Sequence, residues 1–166
     1  SNLTEINIPF GVTYIGDSAF SYCHALQNIE LPSNVTSIGA YAFCCCSNLM
    51  NLTLPQNLET IGDSAFYSCS SLTNISIPAS VTTIGNHAFM YCTSLIFSIA
   101  ANNEYYSNSD DGSMLLNKDK TILITYPSAS GDIVISENVT TIGDYAFYHC
   151  YNLTSIELPD SVTTIG

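Results

Sequence analysis

Leu26-Gln-Asn-Ile-Glu-Leu-Pro-Ser-Asn-Val-Thr-Ser-Ile-Gly-Ala-Tyr-Ala-Phe-Cys-Cys-Cys46 decides the fold, because the chain repeats its skeleton every 23 residues. A true period places the same chemistry at the same offset without insertions or deletions. The leading leucine recurs at Leu3, Leu26, Leu49, Leu72 and Leu95. Phe20, Phe43, Phe66 and Phe89 keep the step, as do Cys23, Cys46, Cys69 and Cys92. After an interruption the pattern resumes with Ile133, Ile135, Val139, Ile142, Gly143, Phe147 and Cys150, then Leu153, Ile156, Leu158, Pro159, Val162 and Ile165.

Each unit reads as one coil of a solenoid. Leu-x-x-Ile-x-Ile-Pro alternates with period two and ends on a proline that removes a ladder donor, which marks a strand. Asn28 and Glu30 then point away from Ile29 and Leu31. Val35-Thr-Ser-Ile38 is a second short extended piece, and Gly39 is expected to supply a permissive backbone for the turn that follows. That turn opens on Asp17, Asp63, Asn86 or Asp144, residues that cap first amides, so a short helix or 3-10 turn is predicted there. Ala40 departs from the rule and should anchor its turn less well. The turn carries Ala-Phe inward, and a stack of phenylalanines is expected as the spine of the core, with about 1.5–3 kcal/mol of transfer free energy per ring.

This 23-residue pattern, Leu-x-x-Ile-x-Ile-Pro-x-x-Val-Thr-x-Ile-Gly-x-x-Ala-Phe-x-x-Cys, resembles the BspA-like leucine-rich-repeat family over almost the whole chain. Leu58 and Glu59 are the main substitutions in the early repeats. The resemblance implies a right-handed solenoid with a parallel sheet on its concave side. It also implies a surface-exposed or secreted protein of bacteria or parasitic protists, linked to adhesion and matrix binding.

A fixed period means a stack whose units touch only their neighbours, so residues 1–166 read as one elongated domain. Regular repeats occupy 3–95, an irregular insert with a hairpin 96–131, and regular repeats 132–166. Neither end carries an atypical polar capping repeat, and no charged-then-apolar leader precedes the first unit. The chain therefore reads as a piece of a longer array without a signal peptide in it. Apolar residues make up 46% of the chain and fall on a fixed schedule, which provides a continuous core. No run is long enough to span a bilayer. Fourteen acidic residues face two lysines, Lys118 and Lys120, and no arginine, for a net charge of −12. That balance repels phosphate backbones and anionic lipid, so nucleic acid and direct membrane insertion are disfavoured.

In the insert, Phe97 and Ile99 take the places of the expected apolar pair one residue early. Asn102 to Gly112 reads as an irregular loop. Ser113-Met-Leu-Leu116 and Thr121-Ile-Leu-Ile-Thr-Tyr-Pro127 read as two strands joined by the polar turn Asn117-Lys-Asp-Lys120. Glu104, Asp110 and Asp111 offer oxygen ligands, but their spacing matches no calcium loop, and a solvated turn is the expectation.

Five of the seven cysteines hold one repeat offset, which suits a buried structural thiol. Parallel stacking aims their Cβ bonds the same way and disfavours bridges, so free thiols are expected. Cys44 and Cys45 occupy offsets filled elsewhere by Ser21-Tyr22, Tyr67-Ser68, Met90-Tyr91 and Tyr148-His149, and are expected to face outward. Three contiguous cysteines do not wrap a tetrahedral ion, and no metal or other cofactor is expected. His24, His87 and His149 fall at three different offsets, which predicts no histidine cluster. With no convergent nucleophile, base or phosphate cradle, the chain does not read as an enzyme.

What does line up is the outward row of the first strand series: Glu5 and Asn7, Asn28 and Glu30, Asn51 and Thr53, Asn74 and Ser76, Asp132 and Val134, Ser155 and Glu157. This row is the candidate partner-binding surface, assigned to the concave face, for a protein of a host cell surface or extracellular matrix. The row is small and polar, without the aromatic and arginine anchors of tight interfaces. Binding by many repeats at once compensates for that. Tyr22, Tyr67, Tyr91 and Tyr148 form a second stripe near the turns, explained first by packing between coils. Sequons at Asn2, Asn34, Asn51, Asn74, Asn138 and Asn152 follow from the repeat itself. The function expected is a non-catalytic adhesion module, with end-to-end self-association through uncapped repeats as the alternative.

Overall fold

The computed structural model describes residues 2–166, which wind into a β-solenoid of about seven turns. Among the described residues there are fifteen strands and no helix. In chain order the strands are β1 (Tyr14–Ile15), β2 (Asn28–Glu30), β3 (Ser37–Ile38), β4 (Asn51–Thr53), β5 (Thr60–Ile61), β6 (Asn74–Ile77), β7 (Thr83–Ile84) and β8 (Ile96–Ile99). Then follow β9 (Tyr106–Asn108), β10 (Leu115–Asn117), β11 (Ile122–Thr125), β12 (Ser130–Val134), β13 (Thr141–Ile142), β14 (Asn152–Glu157) and β15 (Thr164–Ile165).

Two ladders run along the stack. The first collects the Ile-x-Ile segments as the parallel pairs β2–β4, β6–β8 and β12–β14. The second collects the Thr-Ile segments, with β1-β3-β5-β7 in one sheet and β9-β10-β11-β13-β15 in another. Pairing steps by one repeat, Asn28 opposite Asn51 and Ile38 opposite Ile61. Between β6 and β8 the step shortens by one, Ile75 opposite Phe97, which is the early apolar pair read in the sequence.

The core is the phenylalanine spine. Phe20, Phe43, Phe66 and Phe89 stack nearly parallel, with centroids 5.3, 5.4 and 5.6 Å apart, and Phe97 ends the run edge-on at 5.2 Å. Leu26, Leu49, Leu72 and Leu95 are fully buried beside it. Each repeat thiol closes the same layer, because Cys46, Cys69 and Cys92 donate to the carbonyls of Phe20, Phe43 and Phe66 at 3.1 Å. Burial pushes the Cys46 and Cys92 thiols up to about 12 and raises Cys69 as well.

The predicted helical turn is replaced by a laddered one. Residues two before and two after the phenylalanine are left-handed in every regular coil: Ser18 and Tyr22, Tyr41 and Cys45, Ser64 and Ser68, His87 and Tyr91, Tyr145 and His149, with φ between 53° and 64°. A left-handed residue every fourth position breaks helical winding and turns alternate amides outward. The amides of Ser18, Phe20 and Tyr22 donate to Ala40, Ala42 and Cys44 of the next coil at 2.7–2.8 Å, while those between bond three residues back. Each turn is thus held half by its own bonds and half by the next coil.

Two further expectations change with it. Asp17 and Asp63 do not cap their own turns; their Oδ1 atoms accept the amides of Ala40 and Asn86, one coil on, at 2.8 Å. The repeat glycine is not left-handed. A Cβ on Gly62 would sit 2.6 Å from the Ala40 nitrogen and the Gly39 carbonyl carbon, and one on Gly39 2.3 Å from Asp17 Oδ1. Glycine is required there by the close approach of the neighbouring coil, not by its backbone freedom. Cys44 also departs from its outward placement: it is buried, 3.5 Å from the half-buried Cys45 sulfur.

The insert holds the predicted hairpin, β10 and β11, antiparallel with Leu115 opposite Thr125 and a bulge after it. Asn117 Oδ1 closes the turn on the amides of Thr121 and Ile122. The segment read as irregular contains a third strand, β9, paired antiparallel with β10. Fully buried Asn103 fixes its start, donating to the carbonyls of Pro78 and Val81 and accepting the amides of Tyr105 and Tyr106. The Tyr106 hydroxyl then accepts the Ile84 amide at 2.8 Å, covering the free edge of β7. Asp111 ties its own loop through Ser109 and Ser113, and these hydrogen bonds hold its carboxyl below the usual range. No group of three His, Cys, Asp or Glu suited to a metal lies among the described residues.

Candidate functional site

Alternation along the first ladder decides which side chains are offered to a partner. Ile29, Leu52, Ile75 and Ile133 are buried, and the residues on either side of each are exposed. Glu5, Asn7, Asn28, Glu30, Asn51, Thr53, Asn74, Ser76, Asp132, Val134, Ser155 and Glu157 are all solvent-exposed. The ladder brings them together in rows: Asn7 bridges to Glu30, Asn28 faces Asn51, Glu30 faces Thr53, Asp132 faces Ser155 and Val134 faces Glu157. Neighbours hold one another in place. Asn51 Nδ2 donates to Asn28 Oδ1 at 2.7 Å, and the hydroxyls of Thr154 and Ser155 donate to Asp132 Oδ1 at 2.5 and 2.7 Å. Those two bonds lower the Asp132 pKa from its ordinary value, so it stays ionised.

The rows are not continuous. No pairing joins β4 to β6 or β8 to β12, but β4 and β6 still lie side by side in contact. The face therefore consists of one patch before the insert and one after it. The first carries Glu5 and Glu30, the second Asp132 and Glu157, so both are acidic.

On the turn side the structure gathers more than the four tyrosines read in the sequence. Tyr67 and Tyr91 meet edge to face at 5.0 Å, a contact between adjacent coils of the kind expected. Tyr91 continues to Tyr148 at 6.2 Å and to His149 at 4.6 Å across the insert. His87 contacts Tyr145 at 4.5 Å, and Tyr145 contacts Tyr148 at 5.6 Å. His87 and His149, expected to lie apart from their offsets, thus flank one aromatic group. Tyr41, Tyr145 and Tyr151 are exposed and were not singled out from the sequence. The signal was available in the row Ser18, Tyr41, Ser64, His87 and Tyr145, two residues before each phenylalanine. A groove of about 540 Å³ runs along these rings, with Cys44 and Met90 in its wall. Desolvation and the Tyr67 hydroxyl push the Tyr91 phenol up to about 12, while desolvation and Cys45 raise Cys44 to about 11. Such thiols and phenols stay protonated at neutral pH and are poor nucleophiles.

Comparison with known proteins agrees with the coil geometry. A family model described as BspA type Leucine rich repeat region matches in six copies, over residues 1–109 and 126–166. No curated protein sequence matches. Among solved structures, a leucine-rich repeat protein from Eubacterium ventriosum is similar at 29% identity and a TM-score of 0.77, over 99% of this chain and 50% of that one. The pneumococcal vaccine antigen PcpA is similar at 30% identity and a TM-score of 0.79, over 93% of this chain and 39% of its own. A leucine rich cell surface protein from Faecalibacterium prausnitzii follows at 30% identity and 0.56, over 99% and 57%. The chain spans half or less of the length of the first two.

Proposed function

Because the chain belongs to the BspA-type leucine-rich-repeat family, we propose that it is a non-catalytic protein-binding module of a cell-surface or secreted protein, and that the exposed rows of the first ladder make the contact. One observation carries the reading: twelve small or acidic side chains stand exposed in register, several locked by hydrogen bonds to the same offset one coil away. A face ordered in advance loses little side-chain entropy on binding. Its chemistry selects a partner with basic patches, since both halves are acidic and the whole chain carries −12. Each coil offers a weak contact, and affinity grows with the number of coils engaged. A bacterial surface setting follows the cell-surface relative and is part of the proposal, as are partners of host or matrix origin. No described helix is long and apolar enough to cross a membrane.

The test is binding of the purified chain to an array of extracellular-matrix and cell-surface proteins, beside a Glu30→Lys/Glu157→Lys variant. The expected result is a hit that weakens about tenfold in the variant and with rising salt. A hit that ignores both charges removes the first ladder as the contact face. Turnover of a substrate by the purified chain would overturn the non-catalytic reading.

A further inference from the structure

The insert leaves a defect in the turn ladder, on a different side of the coil from the proposed binding rows. In a regular coil the ladder isoleucine and the core phenylalanine lie five residues apart, as Ile142 and Phe147 do. In the insert coil Leu123 pairs with Ile142, and Tyr126 takes the phenylalanine place, its amide donating to Ala146 and its ring 6.2 Å from Phe147. Leu123 and Tyr126 are only three residues apart, so this coil lacks the two residues that elsewhere form the outer bend.

The consequence is a row of backbone groups short of partners, with only Tyr126 reaching across, to Ala146. In the three preceding coils the amides at this row all donate to the next coil: Ser18, Phe20 and Tyr22; Tyr41, Phe43 and Cys45; Ser64, Phe66 and Ser68, each at 2.7–2.8 Å. The corresponding amides of His87, Phe89 and Tyr91 have no acceptor among the described residues. Across the gap, the carbonyls of Asp144 and Tyr148, whose counterparts receive those bonds elsewhere, have no donor. A cavity of about 260 Å³ lies at the His87–Phe89 and Asp144 end of this row, lined by Ile84, Phe89, Leu115, Ile124, His87 and Tyr145. Phe89 is buried and lines this cavity, and a buried amide without a partner is costly.

We propose that the notch between His87–Phe89 and Asp144–Tyr145 binds a short extended segment of a partner protein, which supplies the missing bend. The amides of His87 and Phe89, at alternate residues, match the carbonyl spacing of an extended backbone, and the Asp144 carbonyl opposite matches one of its amides; this is strand addition at a local edge. The apolar floor takes one aliphatic side chain. The acceptor is a peptide carbonyl and not a carboxylate or phosphate, because Asp144 lines the same cavity and the chain carries −12. Lysine or arginine beside the aliphatic residue fits that charge and meets the Tyr145 ring. The site does not depend on the first ladder, so either proposal survives failure of the other.

Amide exchange read by NMR on the intact chain tests this directly, with acetyl-Lys-Val-Lys-Val-Lys-amide as the probe. In the free protein the His87, Phe89 and Tyr91 amides should exchange about a hundredfold faster than those of Ser64, Phe66 and Ser68. Saturating peptide should shift and protect the His87 and Phe89 amides, while the same peptide with glutamate for lysine should not. Ile124→Trp, which fills the floor, should abolish the effect, with the Phe43 and Phe66 amides reporting that the fold persists. Glu30→Lys should leave it unchanged. Free-state protection equal to that of Ser64, Phe66 and Ser68 would overturn the proposal, as would peptide protection that survives Ile124→Trp. Protection that rises with protein concentration alone would assign the notch to a second copy and overturn it too.

Discussion

Gly62→Ala separates the two explanations of the repeat glycine. An added Cβ would stand 2.6 Å from the Ala40 nitrogen and the Gly39 carbonyl carbon and 2.9 Å from the Gly39 oxygen, all backbone atoms of the preceding coil. Ordinary contact begins at 3.4 Å, so the two coils would have to part by about 0.8 Å. Such a shift stretches the neighbouring ladder bonds, Gly62 to Ile38 and Tyr41 to Asp63, both 2.8 Å, beyond hydrogen-bonding range. Overpacking costs about 1–3 kcal/mol, and two weakened bonds about 1 kcal/mol each. Alanine recovers about 0.4–1 kcal/mol by restricting the unfolded chain. The net expectation is a loss of about 2–4 kcal/mol, or roughly 5–15 °C in Tm for a chain of this size. Gly16 is the internal control: it follows the same Ile in the same motif, yet its Cβ would meet only the Tyr14 ring, at 3.8 Å. Gly16→Ala should leave stability unchanged or slightly raised. Urea and thermal unfolding followed by circular dichroism give both values. Equal losses in the two variants would refute the steric account and restore backbone freedom as the reason for glycine.

Three other outcomes follow from the packing. Phe66→Ala removes a fully buried ring stacked on both sides and should cost about 3–5 kcal/mol, since neighbouring rings cannot collapse into the space; an unchanged melt would contradict its place in the spine. Asn103→Ala strands two carbonyls and two amides and should cost about 2–4 kcal/mol while loosening the β9–β11 hairpin. Trypsin has two sites in the chain, Lys118 and Lys120, both in the turn of that hairpin, so faster cleavage reports the loosening and equal cleavage would refute it. Stability should also fall at high pH. The native Cys46 and Cys92 thiols titrate at about 12, so the folded chain keeps protons that unfolded thiols release from about pH 8.5. The contribution is fully present below that pH and is lost as pH rises towards 12; for fully buried Cys92 the slope is at most about 1.4 kcal/mol per pH unit. A Tm that does not change between pH 7 and 10 would place these thiols in water.

How much could be read beforehand depends on whether a residue's role is set within its coil or between coils. Phe43 and Ile29 recur because each meets the same offset one repeat away, and Leu49 and Cys46 because each is buried in the same layer of every coil, so the period exposes them directly. The twelve outward positions of the first ladder follow from alternation alone. Asp17 and Gly39 were legible as a turn signal but not in their function, because the partner of Asp17 lies 23 residues on and that of Gly39 22 residues back, not in the next turn. Helical winding was the wrong reading for the same reason. The sequence carries Ser, Tyr and His at left-handed positions where glycine is the usual marker, and only the inter-coil bonds repay that backbone cost. The notch was hidden differently: its signal is a length, two residues missing between Leu123 and Tyr126, and a length is invisible until the register with Ile142 is known.

That missing length and the break in the first ladder have one geometric cause. A regular coil adds one strand, about 4.8 Å, to every side of the stack. The insert coil adds three strands, β9, β10 and β11, to the second ladder but only β8 to the first, and a shortened bend to the turn side. The sides therefore advance unequally, the second ladder by roughly 10 Å more than its neighbour. A straight stack cannot absorb that difference. The first ladder parts between β8 and β12, the core divides into one cluster ending at Leu115 and another beginning at Leu116, and His87 closes on Tyr145 across the short side. Removing β9 and β10 while restoring the two missing bend residues should close the first ladder into one row and seal the notch. The His87, Phe89 and Tyr91 amides would then become as protected as those of Ser64, Phe66 and Ser68. Persistence of their fast exchange in such a chain would break the link between the hairpin and the notch.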